Sequence, residues 1–159
     1  KLRPAVLDLG LEAAIEWESR KFSRRSGLPC ALDLRLGEKM LRDELTTAYY
    51  RIAQESLTNT MRHSQAKSTS IRLWIDQEWL FMKISDDGIG MQEGACPRSG
   101  SYGLIGIAER VFALGGAFNL DSAPNKGTQM LVAAPLIRPA GHARPDDPGA
   151  GTLTIPANS

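Results

Sequence analysis

Over residues 11–25, Leu11, Ala14, Ile15, Glu18 and Phe22 recur at helical spacing, and Gly27 follows as a stop. The next stretch changes period. Cys30, Leu32, Leu34 and Leu36 alternate with Ala31, Asp33 and Arg35, the pattern of a half-buried strand. Residues 43–63 return to helical spacing, with Leu45, Ala48, Tyr49, Ile52, Ser56 and Leu57 on one side of a long amphipathic helix. Two alternating strands follow over 70–76 and 80–85, joined by a polar turn around Gln77. Residues 104–114 predict another amphipathic helix, stopped by Gly115 and Gly116. Two further strands follow over 117–122 and 128–136, with Pro124-Asn125-Lys126-Gly127 as the turn. From Arg138 onward Pro, Gly, Ala and Asp replace any period, and residues 138–159 read as a disordered tail.

The order is helix, strand, helix, hairpin, loop, helix, hairpin. It predicts an α/β two-layer sandwich: a mixed, mainly antiparallel sheet with helices on one face. No internal repeat is evident. The 159 residues suffice for one domain with a real core. A net charge of +1 supplies no strong field toward nucleic acid or a membrane surface, so no nucleic-acid partner is expected. Cys30 and Cys96 fit no metal spacing and no disulfide framework, and they read as inert thiols in a reducing compartment. No apolar run approaches bilayer length and no signal peptide is read, so a cytoplasmic domain is expected. The opening KLRPAVLDLG starts in mid-pattern, as the end of something longer would.

The candidate chemistry lies in three motifs. The first is RIAQESLTNTMRHSQAK, from Arg51 to Lys67. With Glu55 at zero and about 100° per residue, Asn59 falls at about 40°, Arg62 at about −20° and His63 at about 80°. These four polar groups form a narrow stripe. A carboxylate and an amide oxygen one turn apart suit a hard cation such as Mg²⁺, which keeps several waters. Arg62 and His63 can meet phosphate oxygens. The alternative is a solvated face with an ordinary i,i+4 pair.

The second motif, DDGIG, follows the alternation Leu80, Met82, Ile84. Asp86 falls at the strand end, where its side chain can enter a cleft between sheet and helices. A carboxylate there accepts from the exocyclic amino group of adenine, whereas guanine offers an acceptor at that position. Gly88 and Gly90 let backbone approach a flat base. The alternative is a tight Asp-Gly turn. In the third motif, GSYGLIG, Gly103 and Gly106 flank a helix start whose free N–H groups attract phosphate. Residues 91–100 read as a loop able to close over a nucleotide. Thr128, after Gly127, can add a hydroxyl near the base. Trp74 and Trp79 read as sheet-face packing.

In this order the motifs resemble the ATP-binding catalytic domain of bacterial sensor histidine kinases. That domain belongs to the superfamily shared with gyrase, Hsp90 and MutL and has the Bergerat-type fold. The similarity is to the subfamily that pairs with helix-turn-helix response regulators. It rests on LRPAVLDLGL from Leu2, YRIAQESLTNTMRHSQAK from Tyr50, DDGIG from Asp86 and SYGLIGIAERV from Ser101, and spans about residues 2–137.

The resemblance implies ATP and Mg²⁺ as cofactors. It implies Asn59 as the Mg²⁺ ligand, with Glu55 supporting the metal or its water, and both as the catalytic pair. Asp86 is implied to read adenine, with Gly88 and Gly90 beneath the base and Thr128 near it. Arg62 and His63 hold the basic positions after Asn59. Tyr102, Gly103, Leu104 and Gly106 form the lid end facing the phosphates. Tyr102 stands where His is commoner and Ile107 where Met is common. Residues 1–10 are implied to be the end of a dimerisation hairpin or its linker, and 11–137 the catalytic domain. The phosphoacceptor is absent: His63 belongs to the nucleotide motif and His142 to the tail. The implied activity is therefore transfer of the γ-phosphoryl group to a histidine on a separate dimerisation domain, for relay to a response regulator. The implied parent is a homodimer, with a membrane anchor as one option. An ATP hydrolase, a serine kinase of the anti-sigma-factor type and a non-catalytic nucleotide module are the competing readings.

Overall fold

Five strands and three helices take up the periodic segments, in a computed structural model that describes residues 3–91 and 103–138. A 3-10 turn over Ala5–Leu9 leads into α1 (Leu11–Ser26). Gly27 stops α1 in the left-handed region at φ 74°, its N–H donating to Ser23 O at 2.9 Å. β1 (Cys30–Arg35) follows, then α2 (Asp43–Asn59), β2 (Thr69–Asp76), β3 (Trp79–Asp86), α3 (Leu104–Ala113), β4 (Ala117–Ser122) and β5 (Thr128–Pro135). All but the first residue of the expected tail, and all but the first of the expected loop, lie outside the described residues.

The strands form one sheet in the order β1-β2-β3-β5-β4. β1 runs parallel to β2, and the other neighbours are antiparallel, as the two hairpins require. The parallel pair exists because α2 carries the chain back between β1 and β2. Ile71 and Leu73 of β2, Leu80, Met82 and Ile84 of β3 and Val132 of β5 are buried on the face that meets the helices. Ile15 of α1, Leu45, Tyr49 and Ile52 of α2, and Ile107 and Val111 of α3 close over them. Tyr49 is wholly buried, so its hydroxyl needs a partner, which it finds in Leu80 O at 2.6 Å. On the opposite face Trp74 stacks on Phe81, its register partner, with centroids 5.2 Å apart, and Arg72 lies over the Trp74 ring at 4.6 Å. Trp74 is sheet packing.

The expected single helix over 43–63 departs in one respect. Regular α-helix ends at Asn59, and Thr60–Ser64 form a π-helical turn closed by Gln65 in the left-handed region. Such wide turns are frequent at functional sites.

Candidate functional site

β3 is the middle strand, so its end is flanked on both sides. Asp86 is its last residue, with Thr69 of β2 and Thr128 of β5 as register partners. Period-two alternation puts Asp86 on the face of Leu80, Met82 and Ile84, one step beyond the core. Burial pushes its carboxyl above the ordinary Asp value; the Gly88 N–H, donating to Oδ1 at 2.9 Å, opposes this, Asp87 adds to it, and the Thr128 N–H opposes it again. The neighbouring Asp87 does a different job. It is exposed and accepts from the Lys67 N–H at 2.8 Å, the Ser68 N–H at 2.9 Å and the Ser68 hydroxyl at 3.0 Å. Those bonds, Ser68's N–H foremost, hold its carboxyl below the usual range. Asp87 ties the chain entering β2 to the strand end, and Asp86 faces the cleft.

The cleft encloses about 530 Å³ of empty space, part of it open to solvent. Asn59 and His63 line it from α2 and its wide turn, Asp86 from β3, Thr128 from β5, Gly90 from the loop and Leu104 from the start of α3. These five chain segments, four of them from the three motifs, meet in one cavity, which β4 also borders. The stripe expected on α2 is not continuous. Asn59 and His63 are on the wall, Arg62 is exposed and off it, and Glu55 is off it against Gly103. The physical reason for Arg62 is the π-helical turn, which begins at Thr60 and resets the angle per residue that the wheel assumes.

Two glycines are fixed by contact. At Gly90, φ is 67° and a Cβ would overlap Ala123 O, so the DDGIG turn packs directly on the β4–β5 turn. At Gly103, φ is 62° and a Cβ would overlap the Glu55 carboxylate. Gly88 is buried and is used through its N–H. Gly106 lies in the first turn of α3 and has no such neighbour: a Cβ would meet only Arg110 Nη1, at 3.5 Å. Tyr102 lies outside the described residues.

Ser56, Thr60, Leu120 and Met130 also line the cleft and escape the motif reading. Ser56 is legible only as part of α2's core side. Its hydroxyl and that of Thr60 are turned onto backbone, at Ile52 O (2.8 Å) and Ser56 O (3.1 Å), which presents their carbon faces. Met130 was findable: it is two residues from Thr128 on β5, hence on the same face. Ser122 and Thr128 share a hydroxyl–hydroxyl bond at 2.8 Å, and Ser122 also accepts the Met91 N–H at 2.8 Å, anchoring the loop's start beside the cleft.

Fold and cleft together define an open α/β sandwich with a pocket at the end of its central strand. The chain belongs to the family of histidine kinase-, DNA gyrase B-, and HSP90-like ATPases, whose model matches residues 44–138. This is an ATP-binding family. Among relatives, it is 30% identical over 137 residues to the oxygen sensor histidine kinase NreB of Staphylococcus carnosus, covering 86% of this chain and 40% of that protein. It is 37% identical over 117 residues to the sensor histidine kinase YdfH of Bacillus subtilis, covering 72% and 28%. Among solved structures, the histidine kinase domain from the Erythrobacter litoralis EL346 blue-light activated kinase shares the fold, with a TM-score of 0.68 at 20% identity over 79% of this chain and 61% of that one. The chain spans less than half the length of both sensor kinases. Among the described residues no helix is long and apolar enough to cross a membrane.

Proposed function

We propose that the chain is the catalytic part of a sensor histidine kinase. It binds Mg·ATP in the cleft and donates the γ-phosphoryl group to a histidine on a separate dimerisation domain, for relay to a response regulator. The observation that carries this reading is the convergence of Asp86, Asn59, His63 and the α3 N-terminus on one cavity. The relatives' names supply its direction.

In this reading Asp86 accepts a hydrogen bond from the adenine amino group, and its own backbone donors hold the carboxylate in place. Gly88 and Gly90 lie beneath the base and Thr128 beside it. The phosphates run toward α3, where the N–H groups of Gly103, Leu104 and Gly106 and the helix dipole stabilise negative charge. His63, from the wide turn after α2, meets phosphate oxygens from the cleft wall, Arg62 supplies positive charge from the same turn, and Tyr102 belongs to the same lid end. The residues fit Mg²⁺: Asn59, on the cleft wall, would offer it an amide oxygen, and Glu55, one turn away beside Gly103, would support the metal or its water, with phosphates and waters completing the shell. Bound Mg²⁺ would neutralise charge on the phosphate oxygens. The protein's own share of catalysis is positioning and charge stabilisation.

The proposed division is residues 1–10 as the end of the dimerisation hairpin or its linker, 11–137 as the catalytic domain and 138–159 as a tail. The parent protein is proposed to be a homodimer whose catalytic domain is cytoplasmic. Calorimetry tests the nucleotide half: Mg·ATP should bind and GTP should not, because a guanine acceptor would face the Asp86 carboxylate. Equal affinity for GTP would overturn the adenine-reading role. Phosphoryl transfer to an added acceptor hairpin tests the other half.

A further inference from the structure

A second groove lies between α2 and α3 and shares no lining residue with the cleft. Arg3, Asp43, Glu44, Arg51 and Arg110 supply its charged groups. Its carboxylates are already engaged. Asp43 lies 3.6 Å from Arg3, and Glu44 takes Arg42 at 2.6 Å and Arg138 at 2.8 Å. Arg3 is held in turn by Asp8 at 2.7 Å. Among the described residues that leaves Arg51 and Arg110 as the guanidiniums of the groove with no ion pair.

Both are aimed. Glu18 of α1, 5% exposed, accepts from the Tyr50 hydroxyl and from Gln54 Nε2 at 3.0 Å. With its amide nitrogen committed to Glu18, Gln54 presents Oε1 to Arg51 Nη1 at 3.2 Å. A buried carboxylate on one helix thus orients a half-buried arginine on the next. Arg110 leans back over the first turn of α3, as long helical side chains do, with Nη1 beside Gly106. A cation resting near the positive end of a helix, without an anion of its own, suits an incoming one.

The position of the groove says which anion. Glu55 touches Gly103 where α2 and α3 meet. Asn59 and His63 lie on the C-terminal side of Glu55 and line the cleft; Arg51 lies one turn to its N-terminal side and lines the groove. Along α2 the groove thus lies on the far side of Glu55 from the cleft, beyond the end where the reading above puts the phosphates. We propose that it seats a carboxylate-bearing helical surface of the acceptor domain, gripped by Arg51 and Arg110 through charge-assisted hydrogen bonds. This rests on the phosphoryl-transfer reading above and adds how the acceptor is docked. Charge complementarity calls for an anion, and the separation of groove from cleft, which have no wall residue in common, favours a partner's carboxylate over the nucleotide's own phosphate.

The test measures binding without ATP, by fluorescence anisotropy, between the whole chain and a labelled acceptor hairpin. Arg51→Ala and Arg110→Ala should each weaken hairpin binding by about tenfold or more, the scale of one charge-assisted hydrogen bond. Arg110→Lys should recover part of the loss. Mg·ATP affinity, read by calorimetry on the same proteins, should be unchanged, which also shows that they fold. Added salt should weaken the parent more than the alanine variants. No hairpin binding by the parent, or equal binding by parent and variants, overturns the proposal. A fall in ATP affinity with hairpin binding intact overturns it too, and assigns the arginines to the phosphates. Docking that follows the pattern without phosphate ever reaching the hairpin leaves the groove standing and removes the transfer reading.

Discussion

Gly103 fits against Glu55 only because it lacks a side chain: its φ is 62°, and a Cβ would overlap the Glu55 carboxylate. The contact joins the N-cap of α3 to α2 one turn before its end. Gly103→Ala should cost about 1–2 kcal/mol for the left-handed backbone alone. It should also displace Glu55 and weaken Mg·ATP binding. Denaturant unfolding and calorimetry check the two effects. A variant as stable and as tight as the parent would show that neither constraint matters.

Gly106 provides the opposite test. Its helical position is unstrained and a Cβ there meets only Arg110 Nη1 at 3.5 Å. Alanine should therefore stabilise α3 by about 0.5–1 kcal/mol. If Gly106 is needed so that phosphate can approach the backbone, the same variant should bind ATP more weakly. Stability up and affinity down is the expected pair of signs. Unchanged affinity would free Gly106 from the phosphate site.

Most of the fold was legible because each segment keeps one period. The alternation through Leu80, Met82 and Ile84 gives β3 and also aims Asp86. The joining of segments was less legible. Nothing local says that β1 lies parallel beside β2, or that Thr69 and Thr128 flank Asp86; sheet order and register decide both. The wide turn after Asn59 has no sequence signal, since Thr60, Met61 and Arg62 include no helix breaker and could continue an α-helix. It broke the stripe that a uniform helical wheel predicts. The pocket's apolar wall was hidden for another reason: Met130 and Leu120 look like ordinary core positions until the hairpin is folded onto the sheet.

Asp86 should give ATP binding a pH dependence. Its carboxyl is raised, so it takes up a proton at a higher pH than an exposed Asp. In the proposed role the charged form accepts from adenine, so affinity should fall as pH drops through that raised value, with protons released on binding there. Asp86→Asn should flatten the profile and weaken binding at neutral pH by about 1.5–3 kcal/mol. For folding the sign is reversed. A folded value above the unfolded one makes this group's contribution greatest below the ordinary Asp value, and that contribution is lost as pH rises through the folded value. Asp86→Asn should thus be at least as stable as the parent at neutral pH while binding ATP less well. A pH-independent affinity in the parent, measured by calorimetry from acid to neutral pH, would contradict this.

Asn59→Ala should remove the Mg²⁺ dependence of ATP binding and leave the fold intact, since a part-exposed amide contributes little to folding. Thermal shift with ATP, with and without Mg²⁺, reads this out. An unchanged Mg²⁺-dependent shift in the variant would take the metal away from Asn59.

The central claim is that this chain gives phosphate to a histidine it does not itself contain. His63 lines the cleft from its own wide turn, and the other histidine, His142, lies beyond the described residues. Incubated with labelled ATP and Mg²⁺, the chain alone should remain unlabelled. With an acceptor hairpin added in trans it should label the hairpin slowly, because a covalent link that would raise effective concentration is missing. The label should be lost in acid and kept in base, as a phosphoramidate behaves. Acid-stable label, on the chain itself or on a serine of the partner, would contradict the account and favour a serine kinase.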